Sequence, residues 1–526
     1  MKRAVAAVLL PLVSAQLVWP SEWDEIEAVY TMMAGLNRRG FLDAVSPCGF
    51  GTNIQGRQNS AEWIRTAFHD MATHDAAAGT GGVDASIFFE LDRAENAGSA
   101  FNNTFGFFSG FYNTRASASD LIALGVITST ARCGGSVIPF RAGRKDANQA
   151  GPAGVPEPQT DLETTLATFN KAGFSEQDMI AMVACGHSLG GVHSVDFPDI
   201  VEIPADPEND TSVPFQTDNQ RFHNGIVTEF LANTTKNPLV VAANDTVNSD
   251  KRIFESDGRK TMQKLAEGDN FQSMCADIFE RMINTVPSDV QLTDVIVPYD
   301  VKPTISQLSL NDEGNIVFKG DIRLRSTGGI RDPADISVNL VYTDRNGGCN
   351  KTSIPTRRVT FRGGQTTGLY DETFYTWEFD AVIDGKRGIS KFLVYETIIS
   401  ENKTIIHDNQ ATGGYPVQDT LLYQLDQSCM GAYQDGRFPL TIAAAVREEE
   451  VPGALKLNVV HEVPRQGVIV PELKAELIDF KAGERKNGWL MYRAEASVAD
   501  TVKFDILSDK DNIAVHFQGT GPLGGC

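Results

Sequence analysis

A chain of 526 residues is too long for one ordinary domain, so two or three are expected. Its hydrophobic share of 41% and charged share of 22% are those of a soluble globular protein. A net charge of -22 argues against nucleic acid or an anionic membrane as the main partner.

The N-terminus reads as a signal peptide over residues 1–15. Lys2 and Arg3 make the basic start, Ala4 to Val13 the apolar core, and Val13-Ser14-Ala15 a small-residue cleavage site before Gln16. That apolar run is too short to span a bilayer, and no later stretch reaches its length. A secreted protein without a membrane span is therefore expected. Sequons begin at Asn102, Asn209, Asn233, Asn244, Asn350 and Asn402, and chance supplies a few of these in any chain so long. The seven cysteines (Cys48, Cys133, Cys185, Cys275, Cys349, Cys429 and Cys526) can pair in an oxidising compartment with one left over. No C-x-x-C occurs, which argues against a structural zinc ribbon.

From Ser21 to about Thr285 the pattern is mainly helical, with starts expected at Ser21, Asn59, Ser117, Thr160, Ser175 and Thr217 and another after Asp257. A Gly- and Pro-rich loop occupies residues 134–159. From about Pro298 the pattern turns to alternation, as in NIVFKGDIRLRS, DISVNLVYTD, TFYTWEFDAVID and ALKLNVVHEV. A mainly α domain over 16–298 followed by a β-rich, sandwich-like region over 299–526 is expected. That region is one large sandwich or two modules, 299–436 and 437–526, divided near Gly436.

Two histidine stretches carry the chemistry. In SAEWIRTAFHDMATHDAAAGTGGVDAS, Arg65 and His69 stand i, i+4 on one helix face with Phe68 beside them. A cation and an imidazole so placed can bind and polarise a small polar molecule, whereas a single satisfied core histidine is the bland alternative. In SEQDMIAMVACGHSLGGVH, an apolar helix runs into Gly186-His187 and is stopped by Gly190-Gly191. Asp257, in FESDGRK, is the candidate acceptor for the His187 imidazole. A carboxylate behind a metal-ligating histidine fixes its tautomer and makes it more electron-donating.

The blocks IRTAFHDM, GGVDAS, RAGRKDA, VACGHSLGGVH, TDNQRF and FESDGRKT follow one another in the order found in a known family. From about Glu22 to Pro298 the chain resembles the heme peroxidases of the plant, fungal and bacterial superfamily. Secretion and sequons point to the fungal secretory class, while HSLGGVH is closer to the intracellular peroxidases, so the chain reads as a divergent branch. The resemblance implies heme b, with His187 as the proximal iron ligand, Asp257 behind it and Phe68 beside the heme. It implies His69 as the distal acid–base, Arg65 stabilising the charge that develops as the O–O bond breaks, and Asn96 orienting His69. The expected reaction is reduction of hydrogen peroxide with oxidation of small organic donors at the heme edge.

The resemblance also implies two calcium ions. A distal one would use Asp70, Gly82, Asp84 and Ser86, and a proximal one Ser188, Asp210, Val213 by its carbonyl, and Asp218. Cys48 with Cys133 and Cys185 with Cys275 are the candidate bridges, and spacing does not fix connectivity. The chain departs from the family in three respects. Gln58, Glu62 and His193 stand where manganese-oxidising members need three carboxylates. Met182 replaces a surface tryptophan of the lignin-attacking members, and Phe68 replaces the distal tryptophan of the cytochrome-oxidising type.

No catalytic cluster is recognisable after about Val297, so the β-rich region is expected to be an interaction or wall-associated module with its own core and possible carbohydrate contact. Two alternatives stand beside the peroxidase reading. One is a degenerate peroxidase-fold glycoprotein that binds through the β-rich region. The other is a metal hydrolase using His69, Asp70, His74 and Asp75, although i, i+5 histidines lie about 140° apart on a helix and do not converge.

Overall fold

The computed structural model describes residues 17–51, 56–204, 210–348, 353–450, 453–510 and 513–526. Residues 1–16, with the expected signal peptide, lie outside these, as do Asn209, Asn350 and Cys349. Among the described residues no helix is long and apolar enough to cross a membrane.

The first half is helical and the second is built from strands, as the change of periodicity near Pro298 leads one to expect. Among the described residues the helices are α1 (Asp24–Thr31), α2 (Asn59–Met71), α3 (Ala100–Phe108), α4 (Ala118–Arg132), α5 (Leu162–Lys171), α6 (Glu176–Gly186), α7 (Gly225–Leu231), α8 (Pro238–Val241), α9 (Ser249–Glu255), α10 (Lys260–Ala266) and α11 (Asn270–Ile283). Ser117 caps α4 by accepting from the Asp120 amide, and Ser175 forms a reciprocal capping box with Asp178 on α6. The start expected at Thr160 falls one residue later, where Asp161 caps α5. No helix starts at Thr217; the chain there runs in turns until α7, because Gln216 is drawn into backbone hydrogen bonds instead.

Two disulfides fix the helices that matter for the site. Cys48–Cys133 ties the loop before α2 to the end of α4, and Cys185–Cys275 ties α6 to α11. Both are the pairs the resemblance implied. A third bridge, Cys429–Cys526, closes the C-terminus onto the last sandwich.

The β-rich region is two sandwiches. In the first, one sheet runs in the order 34–35, 365–367, 373–383, 316–325, 301–310, and the other in the order 403–407, 391–398, 336–343, 353–355. Their inward residues, among them Phe318, Ile322, Leu324, Val338, Leu340, Trp377 and Phe392, form one core. Strand Ile316–Arg325 alternates buried and half-buried positions over its first turns, the period-2 pattern visible in NIVFKGDIRLRS. The second sandwich has its own core of Leu440, Ile442, Leu457, Val459, Phe504 and Ile506. It includes strand Leu421–Tyr423, which pairs with Phe438–Arg447. The division therefore lies before Leu421 rather than near Gly436, because the 421–430 strands take their partners from the later sheet.

The helical and β-rich parts keep distinct cores, and several contacts join them directly. Trp19 packs into the first sandwich, and its backbone exchanges two hydrogen bonds with the Asn409 side chain, at 2.9 and 2.7 Å. Val470 of the second sandwich sits in the helical core. Ala34–Gly35 adds an edge to the first sandwich by pairing with Thr366 and Thr367. Gly35 is needed there: its φ is +93°, and a Cβ would lie 2.3 Å from the Gln365 carbonyl oxygen.

The strongest tie is ionic. Glu27 of α1 is fully buried and pairs with Lys302 Nζ at 2.7 Å and the Arg323 guanidinium at 2.5 Å, both on strands of the first sandwich. Burial pushes the Glu27 carboxyl up, but Arg323 and then Lys302 outweigh it and bring it down to about 2. The stability so gained is present above the unfolded value of 4.5 and is lost as pH falls from there toward about 2. Arg323→Met in the full chain is expected to lower stability by about 3–5 kcal/mol at pH 7. It should also flatten the loss of stability between pH 5 and pH 3, as read by urea unfolding. An Arg323→Met protein as stable as the parent at both ends would show that this contact contributes nothing.

Candidate active site

Helix α2 has two faces with different work. Trp63 packs against Phe107 and Phe108 with ring centroids at 5.5 and 4.9 Å, and Ala67 and Met71 are buried beside it. That aromatic anchor fixes the rotation of the helix, so Arg65, Phe68 and His69 line a cavity of about 250 Å³. Helix α6, held by its capping box and by Cys185–Cys275, ends at His187, which lines the same cavity.

His69 is tied at both nitrogens. Asn96 Nδ2 donates to the Glu90 carbonyl at 3.0 Å, which turns Asn96 Oδ1 toward His69 Nδ1 at 2.8 Å. Asn96 Oδ1 accepts, so the ring carries its proton on Nδ1. Nε2 is then the basic nitrogen, and Arg65 Nε donates to it at 3.3 Å. Burial first, and the Arg65 charge second, push the His69 imidazolium down to about 3. The ring is a neutral base throughout the ordinary pH range. Arg65 is itself lowered by burial to about 10, so it stays cationic at neutral pH. Its guanidinium donates to the Ala97 carbonyl at 3.0 Å and lies over the Phe101 ring at 4.7 Å.

His187 stacks on Phe215, with ring centroids 4.2 Å apart and planes 16° apart. Its Nδ1 donates to Asp250 Oδ2 at 2.9 Å, and its Nε2 has no hydrogen-bond partner among the described residues. The acceptor is thus Asp250 of α9, not Asp257. Asp257 lies at the end of that helix and accepts from the Lys260 and Thr261 amides at 2.9 and 2.8 Å, capping α10.

Asp70, Gly82, Asp84 and Ser86 lie around the turn behind His69. Asp70 accepts from the Ala85 and Ile87 amides at 2.8 and 3.2 Å, and Asp84 from the Ser86 amide at 3.0 Å. Burial and then the neighbouring Asp84 charge hold the Asp70 carboxyl above its usual range. The Ser86 hydroxyl is buried without a well-formed hydrogen bond.

In the other expected calcium set, Ser188 Oγ donates to the Cys185 carbonyl at 2.8 Å. Asp210 is taken by His193 Nδ1 at 2.5 Å and by Ser194 Oγ at 3.1 Å. Beside Ser188 stands the Gln216 side-chain amide. Gln216 Nε2 donates to the carbonyls of Ser188, Asp218 and Arg221 at 2.7, 3.0 and 3.2 Å, and its Oε1 accepts from Ile226 N. Val213 is in a short strand paired with Val192. No signal in a single sequence marks Gln216 for this role.

The cavity edge carries Gln58, Glu62 and His193. Gln58 accepts from Gly190 N at 2.8 Å and donates to the Cys48 and Asn219 carbonyls, so it braces the loop after His187. Burial lifts Glu62 to about 7 although Arg57 stands 3.6 Å away. Arg57 also pairs with Asp196 at 2.7 Å. His74 and Asp75 do not join His69: His74 Nδ1 bonds the Gly81 carbonyl at 3.0 Å, and Asp75 accepts from the Ala77 and Ala78 amides. Among the described residues no three His, Cys, Asp or Glu side chains converge as a metal cage.

The family model for peroxidases matches residues 51–268, which include both histidines and their partners. Peroxisomal L-ascorbate peroxidase 5 of Arabidopsis thaliana is 30% identical over 184 residues, covering 35% of this chain and 61% of that protein. Manganese peroxidase 2 of Phlebia radiata is 34% identical over 177 residues, covering 31% of this chain and 43% of its own. Residues 51–268 form a domain of the plant and fungal peroxidase superfamily. A WSC domain-containing protein of Arthroderma benhamiae is 37% identical over 532 residues, covering 98% of this chain and 69% of the relative. That similarity takes in the β-rich region, whereas the two peroxidases correspond to part of the chain alone.

Within this peroxidase domain, Gln216→Leu keeps the volume but removes the Gln216 donor from all three carbonyls, leaving His223 Nε2 on that of Asp218. It is expected to cost about 1–3 kcal/mol for buried groups left unpaired. Thermal unfolding of parent and variant, each with and without calcium, checks this. A variant as stable as the parent, or a parent loss on chelation matching that of Gln216→Leu, would contradict the assignment of the place beside Ser188 to the amide.

Proposed function

We propose that the protein is a secreted heme peroxidase that reduces hydrogen peroxide and oxidises small organic donors at the cavity edge. The observation that carries this reading is the pairing of two differently prepared histidines on one cavity: His69 neutral beside Arg65, and His187 backed by Asp250. Heme suits the residues present. The cavity is walled by Ile64, Phe68, Phe169, Val183, Phe215 and Leu239, and the His187 Nε2 has no hydrogen-bond partner among the described residues. His187 would hold the iron, and a bound heme supplies the electrons that break the O–O bond.

The chain's own groups handle the protons. His69 Nε2, the acceptor nitrogen, takes the proton of the peroxide oxygen nearest it and returns it to the other oxygen, which leaves as water. Arg65 Nε, already aimed at this position, stabilises the negative charge on the departing oxygen. Asn96 keeps the proton on Nδ1, so the working nitrogen stays the basic one.

Asp70, Gly82, Asp84 and Ser86 fit a calcium ion in chemistry. Burial and then the Asp84 charge raise the proton affinity of Asp70, and the buried Ser86 hydroxyl has no well-formed hydrogen bond. A cation there would brace the turn that follows His69. No second ion is proposed at Ser188, Asp210, Val213 and Asp218. Manganese is not the proposed donor, because Glu62 is the single acid among Gln58, Glu62 and His193 and faces Arg57. Secretion is supported by the three disulfides and by the basic-then-apolar N-terminus.

A second reading is a binding glycoprotein whose β-rich region attaches to a wall or carbohydrate. It is favoured by the Arthroderma relative, whose name carries a WSC domain and no peroxidase.

Stopped-flow mixing of heme-loaded protein with peroxide separates the two. The parent should react rapidly, and its rate should show no acid limb from His69 until pH approaches about 3. His69→Ala should be slower by about 10²–10⁴-fold, the usual contribution of a general acid–base. A parent without a peroxide-dependent absorbance change, or a His69→Ala rate within about tenfold of it, would contradict the peroxidase reading.

A further inference from the structure

Asn237 stands in the loop before α8 and is completely buried. Its two polar atoms do separate work. Oδ1 accepts from Leu239 N at 2.9 Å, capping the short helix that Pro238 begins. Nδ2 donates at 2.7 Å to Asp250 Oδ2, the same oxygen that accepts from His187 Nδ1 at 2.9 Å. Asp250 Oδ1 is buried with no hydrogen-bond partner among the described residues. One carboxylate oxygen therefore carries both hydrogen bonds and the other carries neither.

We propose that Asn237 is a positioning residue that sets how strongly His187 donates to a bound iron, by sharing Asp250 Oδ2 with the imidazole N–H. This rests on the heme reading of the cavity. An oxygen that already accepts from an amide offers less charge to a second donor, so the His187 N–H is drawn less strongly. The imidazole then has less imidazolate character, and ferric iron is stabilised less against ferrous. The same amide holds the carboxylate turned with Oδ2 toward His187, since Oδ1 has no competing partner to rotate it.

Two substitutions remove the donor and keep the helix cap. Asn237→Ser retains an oxygen able to accept from Leu239 N. Asn237→Thr does the same while keeping more of the side-chain volume. Both are to be made in the full chain and loaded with heme, and two properties read: the ferric–ferrous midpoint potential and the iron–histidine stretching frequency of the ferrous form. Both variants should show a higher frequency and a lower potential. The ferric-to-ferrous ratio at fixed potential should rise about tenfold, which is about 59 mV for one electron. A purely structural role would lower thermal stability and leave both readouts in place.

Heme-loaded variants with unchanged potential and frequency would overturn the proposal, as would failure of both variants to hold heme. A parent whose ferrous form lacks an iron–histidine band would overturn the heme reading itself. A parent with that band and variants without a shift would overturn the role of Asn237 alone.

Discussion

Each of the two imidazoles on the cavity has its Nδ1 committed to a side-chain oxygen, His69 to Asn96 at 2.8 Å and His187 to Asp250 at 2.9 Å. A histidine has two nitrogens, so this commitment decides what the other one does. The environments then separate the pair. His69 is buried beside a guanidinium, which keeps it neutral and basic. His187 faces a carboxylate, which draws on its N–H and makes the ring a better electron donor. Much of the surrounding architecture serves to hold these two contacts: the aromatic anchor under α2, the capping box on α6, and the disulfides from α4 and α11.

The β-rich half takes part in this support. The buried Glu27 is balanced by Lys302 and Arg323 from the first sandwich, while Trp19 and Val470 cross between the cores in opposite directions. The β-rich region is thereby coupled to the stability of the helical domain. The match to the Arthroderma relative over 98% of this chain fits such a unit, in which helices and sandwiches belong together.

How much of this was legible depended on whether the cause was local. The i, i+4 spacing of Arg65 and His69, the Ser175 capping box and the strand alternation after Pro298 are short-range patterns, and each reappears in the fold. The carboxylate behind His187 was misplaced by seven residues, because two Ser-Asp pairs occur close together and only one faces inward. In hindsight Asp250 has Ile253 and Phe254 one turn on, the mark of a buried helix face, whereas Asp257 precedes Gly258 and free amides to cap. Gln216 and Asn237 left no such mark. Their roles come from carbonyls and a carboxylate brought together by the fold, at separations no periodicity encodes. The ties between halves were hidden for the same reason, since Glu27 meets its partners across 275 and 296 residues.

We propose that heme is held at His187, prepared by Asp250. Titrating the full chain with hemin and following the Soret band tests it most directly. One hemin per chain with a high-spin ferric spectrum is predicted, retained in His69→Ala and lost in His187→Ala. A parent that takes up no stoichiometric hemin, or a His187→Ala protein that binds it with the same spectrum, would contradict the account.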